Sequence, residues 1–134
     1  MESEATRCDG PAEIKVLIPP AVDAPQRARH QVDALGVPAP ASHDVTLLVS
    51  EVVTNCVVHA GLAPGQDIDL RLTHDGDTVR VEVRDEGQGF AESLVRGRRS
   101  NGFGLYLVER LSDRWGVKRG DRTCVWFEVD LAAA

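Results

Sequence analysis

The segment from Ile68 to Arg84 constrains this chain most. Ile68, Leu70 and Leu72 alternate with Asp69, Arg71 and Thr73, and Val79, Val81 and Val83 alternate with Arg80, Glu82 and Arg84. Asp75-Gly76 stands between the two runs, so the pattern predicts an antiparallel hairpin that is apolar on one face. Such a face needs a cover. Two helical patterns upstream supply it. Ala24, Ala28, Val32 and Leu35 recur at helical spacing before Gly36-Val-Pro-Ala-Pro ends the run. From about Ser42, a plausible N-cap, to Ala60, the residues Val45, Leu48, Val49, Val52, Val53 and Cys56 form one buried stripe.

Shorter patterns complete the domain. Ile14, Val16 and Ile18 read as a strand stopped by Pro19-Pro20, and Gly102-Phe-Gly104 opens a helix to about Leu111, with Leu105, Val108 and Leu111 inward. Strands follow at about 114–118 and 123–131, with a Gly120-Asp121 turn between them. No βαβα alternation occurs. The expected fold is α+β, a two-layer α/β sandwich with helices on one face of a mixed, mostly antiparallel sheet. Residues 1–13 read as a flexible N-terminal arm and 14–134 as one domain.

Composition excludes several classes. With 134 residues, 43% hydrophobic and 27% charged, the chain is long enough to bury a core without disulfides. Its net charge of −6 argues against direct nucleic-acid binding or a polybasic membrane surface. No apolar run approaches the ~20 residues that span a bilayer, and the polar, acidic start is unlike a secretory signal. Cys8, Cys56 and Cys124 are odd in number and widely spaced, as expected of ordinary thiols in a reducing, cytoplasmic setting.

Three clusters carry polar chemistry. Glu51, Asn55 and His59 are spaced i, i+4, i+8 and share a stripe about a quarter turn from the centre of the apolar face. That places them at a cleft edge, where a carboxylate can take a proton and an Asn oxygen can ligate Mg²⁺. Taken alone, the same stripe is what the polar flank of any amphipathic helix shows. Asp85-Glu-Gly-Gln-Gly-Phe90 closes the hairpin. A carboxylate at a strand end can accept a hydrogen bond from an exocyclic amine such as that of adenine, and glycines at 87 and 89 let backbone turn sharply or approach a ligand. Gly102-Phe-Gly104 precedes a helix whose first amides can meet an anion. Arg96-Gly-Arg98-Arg99 lies just upstream. No P-loop is present, and no GxGxxG follows the first strand.

In this order the clusters say more than they do singly. Glu51-x3-Asn55-x3-His59-Ala60, then Asp85-x-Gly87-x-Gly89-Phe90, then Gly102-x-Gly104-Leu105 resembles the N, G1 and G2 boxes of the GHKL (Bergerat-fold) ATPases. The wording of Ser50-Glu-Val-Val-Thr-Asn-Cys-Val-Val-His-Ala60 and Gly102-Phe-Gly-Leu-Tyr-Leu-Val108 looks most like the small stand-alone anti-sigma-factor serine kinases. The resemblance covers roughly residues 14–130.

That resemblance implies ATP and Mg²⁺ as ligands. It implies that Glu51 is the general base, that Asn55 ligates Mg²⁺, and that Asp85 binds the adenine amine above a floor shaped by Gly87, Gly89 and Phe90. Gly102, Phe103, Gly104 and Leu105 would bring the lid and helix start to the phosphates, and Arg98 or Arg99 would meet the γ-phosphate. Thr123 would help hold adenine through water, and His59 would serve at the phosphate side or the helix end. The chain departs from the pattern at Arg122, where such kinases often carry glycine. The implied function is sequestration of a sigma factor and phosphorylation of a serine on a STAS-type anti-anti-sigma partner, by a homodimer. Two other readings stand beside it: an ATP-binding partner-switch module without phosphotransfer, and a histidine-kinase-like catalytic domain acting in trans.

Overall fold

The computed structural model describes residues 12–59, 65–85, 103–118, 120 and 122–131. The elements run β1 (Ala12–Ile18), α1 (Ala24–Leu35), α2 (Ala41–His59), β2 (Ile68–Asp75), β3 (Thr78–Asp85), α3 (Phe103–Leu111), β4 (Arg114–Lys118) and β5 (Thr123–Asp130). The strands form one sheet in the order β1-β2-β3-β5-β4, and all four pairings are antiparallel. The α+β sandwich expected from the sequence is the fold found. β4 takes the outer edge beyond β5, which lets β5 return antiparallel beside β3.

Local boundaries moved for identifiable reasons. β1 begins at Ala12 because Ala12 and Glu13 pair with His74 and Thr73. The hairpin pairs Asp75 with Thr78, so the two central turn residues are Gly76 and Asp77, not Asp75 and Gly76. Gly76 has φ +62°, a left-handed conformation that glycine adopts without a Cβ penalty. α2 starts at Ala41, so Ser42 lies in the first turn instead of capping it. The N–H groups of Ser42 and His43 donate instead to the carbonyls of Pro38 and Pro40. α1 ends as the sequence signals, with Gly36 in the left-handed region and its N–H on the Asp33 carbonyl.

The core lies between the helices and one sheet face. Val45, Leu48, Val49, Val52, Val53 and Cys56 of α2 are fully buried, as are Leu70, Leu72, Val79, Val81, Val83 and Phe127 of the sheet. α1 contributes Ala24, Ala28, Val32 and Leu35. The opposite sheet face carries charge pairs and so needs no second layer of helices. Arg80 donates to Glu82 at 2.9 Å and to Glu128 at 2.8 Å, and Arg84 donates to Glu82 at 2.7 Å. Arg114 pairs with Glu128 at 2.6 Å and with Asp130. Burial alone would raise the Glu82 carboxyl, but the hydrogen bonds from Arg80 and Arg84 outweigh it and leave the group below its ordinary range.

Trp126 sits within this charged face, its ring 4.4 Å from the Arg80 guanidinium carbon. Gly116 on β4 pairs with it, and a Cβ added there would stand 2.7 Å from the indole Nε1. Gly116→Ala is therefore expected to cost about 1–3 kcal/mol through overpacking, more than the ~0.4–1 kcal/mol of unfolded-state entropy it recovers. Urea unfolding followed by circular dichroism checks this, and an unchanged midpoint would contradict it.

Candidate functional site

The site grows from the ends of two central strands. Asp85, the last residue of β3, pairs in register with Thr123, the first of β5. Both follow the parity of Val83 and Val125, so both lie on the helix-covered face, 1% and 8% exposed respectively. Above them runs the C-terminal half of α2. Cys56 Sγ donates to Asp85 Oδ2 at 3.8 Å. Burial first, then the Asp85 charge, then the hydrogen bond itself push the Cys56 thiol well above its ordinary range.

Asn55 precedes Cys56 and is 8% exposed, and its Nδ2 has no hydrogen-bond partner among the described residues. A buried amide without a partner is costly, of order 1–3 kcal/mol, and points to a ligand that completes it. Glu51 lies one turn, ~6 Å, before Asn55 on the same stripe and is half-buried. The protein oxygen that could face a cation here is that of Asn55, with the Glu51 carboxylate one turn before it. Among the described residues no group of three or more His, Cys, Asp or Glu side chains converges on a metal position. The donor set instead fits Mg²⁺, which takes few protein oxygens and completes its shell with phosphate and water.

His59 is the last residue of α2, and Phe103, Gly104 and Leu105 make the first turn of α3, which packs against α2. Gly87, Gly89, Phe90, Arg98, Arg99 and Gly102 lie outside the described residues. Sequence reasoning missed Cys56 as a site neighbour. A cysteine inside a stripe of valines reads as a small hydrophobe, and only its through-space partner reveals the thiol as a donor.

A second feature was also invisible in the sequence. Arg84, Lys118, Arg122 and Cys124 line an open depression of about 420 Å³ on the charged sheet face. It lies across the sheet from Asp85 and Thr123, because Arg84 pairs with Cys124 one step along the same two strands. Glu82 and Asp69 already answer the charges of Arg84 and Arg122. Burial raises the Cys124 thiol above its ordinary range, against the opposing pull of Arg84.

Residues 18–129 match the histidine kinase-like ATPase domain, and the chain belongs to that family. Membership implies ATP binding. The GHKL resemblance read from the three boxes is thereby borne out. Among curated proteins the chain is 33% identical over 109 residues to Blue-light-activated histidine kinase 2 of Erythrobacter litoralis (strain HTCC2594), covering 76% of this chain and 31% of that one. Among solved structures it resembles the RsbU and RsbW domains of Rv1364c from Mycobacterium tuberculosis, with a TM-score of 0.71 at 21% identity. That match covers 92% of this chain and 33% of the other, and it shows a shared fold. The chain thus spans about a third of each of these proteins. No described helix is long and apolar enough to cross a membrane.

Proposed function

We propose that residues 14–134 form an ATP- and Mg²⁺-dependent protein serine kinase of the anti-sigma type. In this reading the protein is a cytoplasmic homodimer that holds a sigma factor and phosphorylates a serine on a STAS-type partner. The observation that carries the nucleotide site is Asn55, buried and without a side-chain Nδ2 partner among the described residues, next in sequence to the Cys56 that donates to the buried Asp85 at the end of β3. Asp85 accepts the adenine amine, helped by Thr123 through water, and Gly87, Gly89 and Phe90 shape the pocket floor. The Asn55 oxygen would hold the cation, which would supply charge neutralisation for the phosphates. Gly102, Phe103, Gly104 and Leu105 bring the start of α3 to the phosphates, and His59 serves at the phosphate side or the helix end.

Phosphoryl transfer requires mainly positioning and charge neutralisation. The acceptor serine oxygen forms a bond to the γ-phosphorus as the bond to the β–γ bridging oxygen breaks. Glu51 takes the hydroxyl proton, and Arg98 or Arg99 meets the charge on the transferred group. ADP leaves.

The kinship with a histidine kinase supports a second reading, in which the acceptor is a histidine supplied in trans. Incubation with labelled ATP, Mg²⁺ and candidate STAS partners separates the two. Phosphoserine survives acid and phosphohistidine does not. ATP binding without any transfer would leave a nucleotide-controlled partner switch.

The nucleotide site has its own test. Asp85→Asn is expected to weaken ATP binding by about 1–3 kcal/mol, because a buried donor on the ligand loses its charged acceptor. Isothermal calorimetry measures this. Failure of the folded wild type to bind millimolar ATP would overturn the whole reading.

A further inference from the structure

Cys56 occupies a core position where the other members of its helix stripe are aliphatic. Val45, Val49, Val52 and Val53 fill equivalent places with no polar atom, and packing alone asks for nothing more. Yet the Cys56 thiol sits 3.8 Å from Asp85 Oδ2. In that contact the S–H is the donor and the carboxylate oxygen the acceptor.

A carboxylate rotates about a broad terminal torsion. Each donor that reaches it narrows the range of planes it presents to a ligand, and one anchored on a helix at Oδ2 also bears on how Oδ1 is oriented. Preorganised polar groups bind more tightly because the orienting cost is met before the ligand arrives.

We propose that Cys56 is a positioning residue for purine recognition: its thiol holds the Asp85 carboxylate in the plane that accepts an exocyclic amine, and so sets how strongly the site prefers a 6-amino purine. The proposal rests on Asp85 being the adenine acceptor.

The test compares ATP with purine riboside triphosphate, which carries hydrogen in place of the 6-amino group. Affinities are measured for wild type, Cys56→Ala and Cys56→Ser, with thermal melts in parallel. Wild type is expected to prefer ATP. Cys56→Ala should lose about three- to tenfold in ATP affinity while binding the amine-free analogue within about twofold of wild type. Cys56→Ser retains a donor and should restore the preference to within about threefold of wild type. If the alanine variant does not fold, Cys56→Val removes the donor while refilling the volume and carries the same comparison.

Equal loss for both nucleotides, tracking a drop in melting temperature, would mean that Cys56 only packs, and it would overturn the proposal. A serine variant that behaves like alanine would overturn it too. A wild type that binds both nucleotides equally would overturn the Asp85 assignment and this inference with it, while leaving ATP binding itself intact.

Discussion

Glu51→Gln is expected to keep the fold and bind ATP as the wild type does, while phosphoryl transfer to a STAS partner falls by about 10²–10⁴. The fold survives because Glu51 flanks the buried stripe of α2 and is only half-buried. Glutamine preserves its shape and its helix propensity. Binding survives because the Asn55 oxygen and Asp85, one turn away and at the end of β3, are untouched. Only proton removal from the attacking hydroxyl is lost. Single-turnover transfer from labelled ATP, beside calorimetry on the same samples, separates the two effects. Wild-type transfer by the variant would show that Glu51 is not the base.

The second large effect is on stability. Phe127→Ala is expected to destabilise the domain by about 3–5 kcal/mol. Phe127 is fully buried at the middle of β5 and pairs with Val81 on β3 and Trp115 on β4. It therefore ties the edge strand β4 to the centre of the sheet, and its removal leaves a cavity where no neighbour can collapse freely. For a domain with a total stability of roughly 5–15 kcal/mol, that loss is about a fifth or more of the whole. The melting temperature should drop by on the order of 10–20 °C. A change under about 1 kcal/mol in urea unfolding would mean that Phe127 does not lock β4 to the sheet centre.

Much of the architecture was legible because its signals are local. Alternation in β2 and β3 marks which residues face the helices, and the observed register places Leu72 opposite Val81 and Arg71 opposite Glu82 as the alternation requires. The α2 stripe is buried at every position its periodicity named. The turn was harder. Asp75-Gly76 signals a hairpin, but one residue of shift decides the central pair, and the cross-strand ladder made Gly76-Asp77 the turn. Ser42 was misplaced for a similar reason: backbone carbonyls of Pro38 and Pro40 took over the capping role that its hydroxyl could have played.

The sequence by itself determined the element order, the apolar faces and the spacing of Glu51, Asn55 and His59, because helix and strand periodicities follow from backbone geometry within a few residues. The order of the three glycine- and acid-bearing boxes likewise needed only the chain itself. What the tertiary structure alone decided are relations between residues far apart in the chain. Asp85 meets Thr123 across 38 residues because β5 inserts beside β3, and the Cys56 thiol meets Asp85 because α2 crosses above that strand end. Whether Asn55 finds a partner is also settled only there. An amide reads the same in a sequence whether solvent, a neighbour or a bound ligand satisfies it, and only packing shows that its Nδ2 is buried and unpartnered among the described residues.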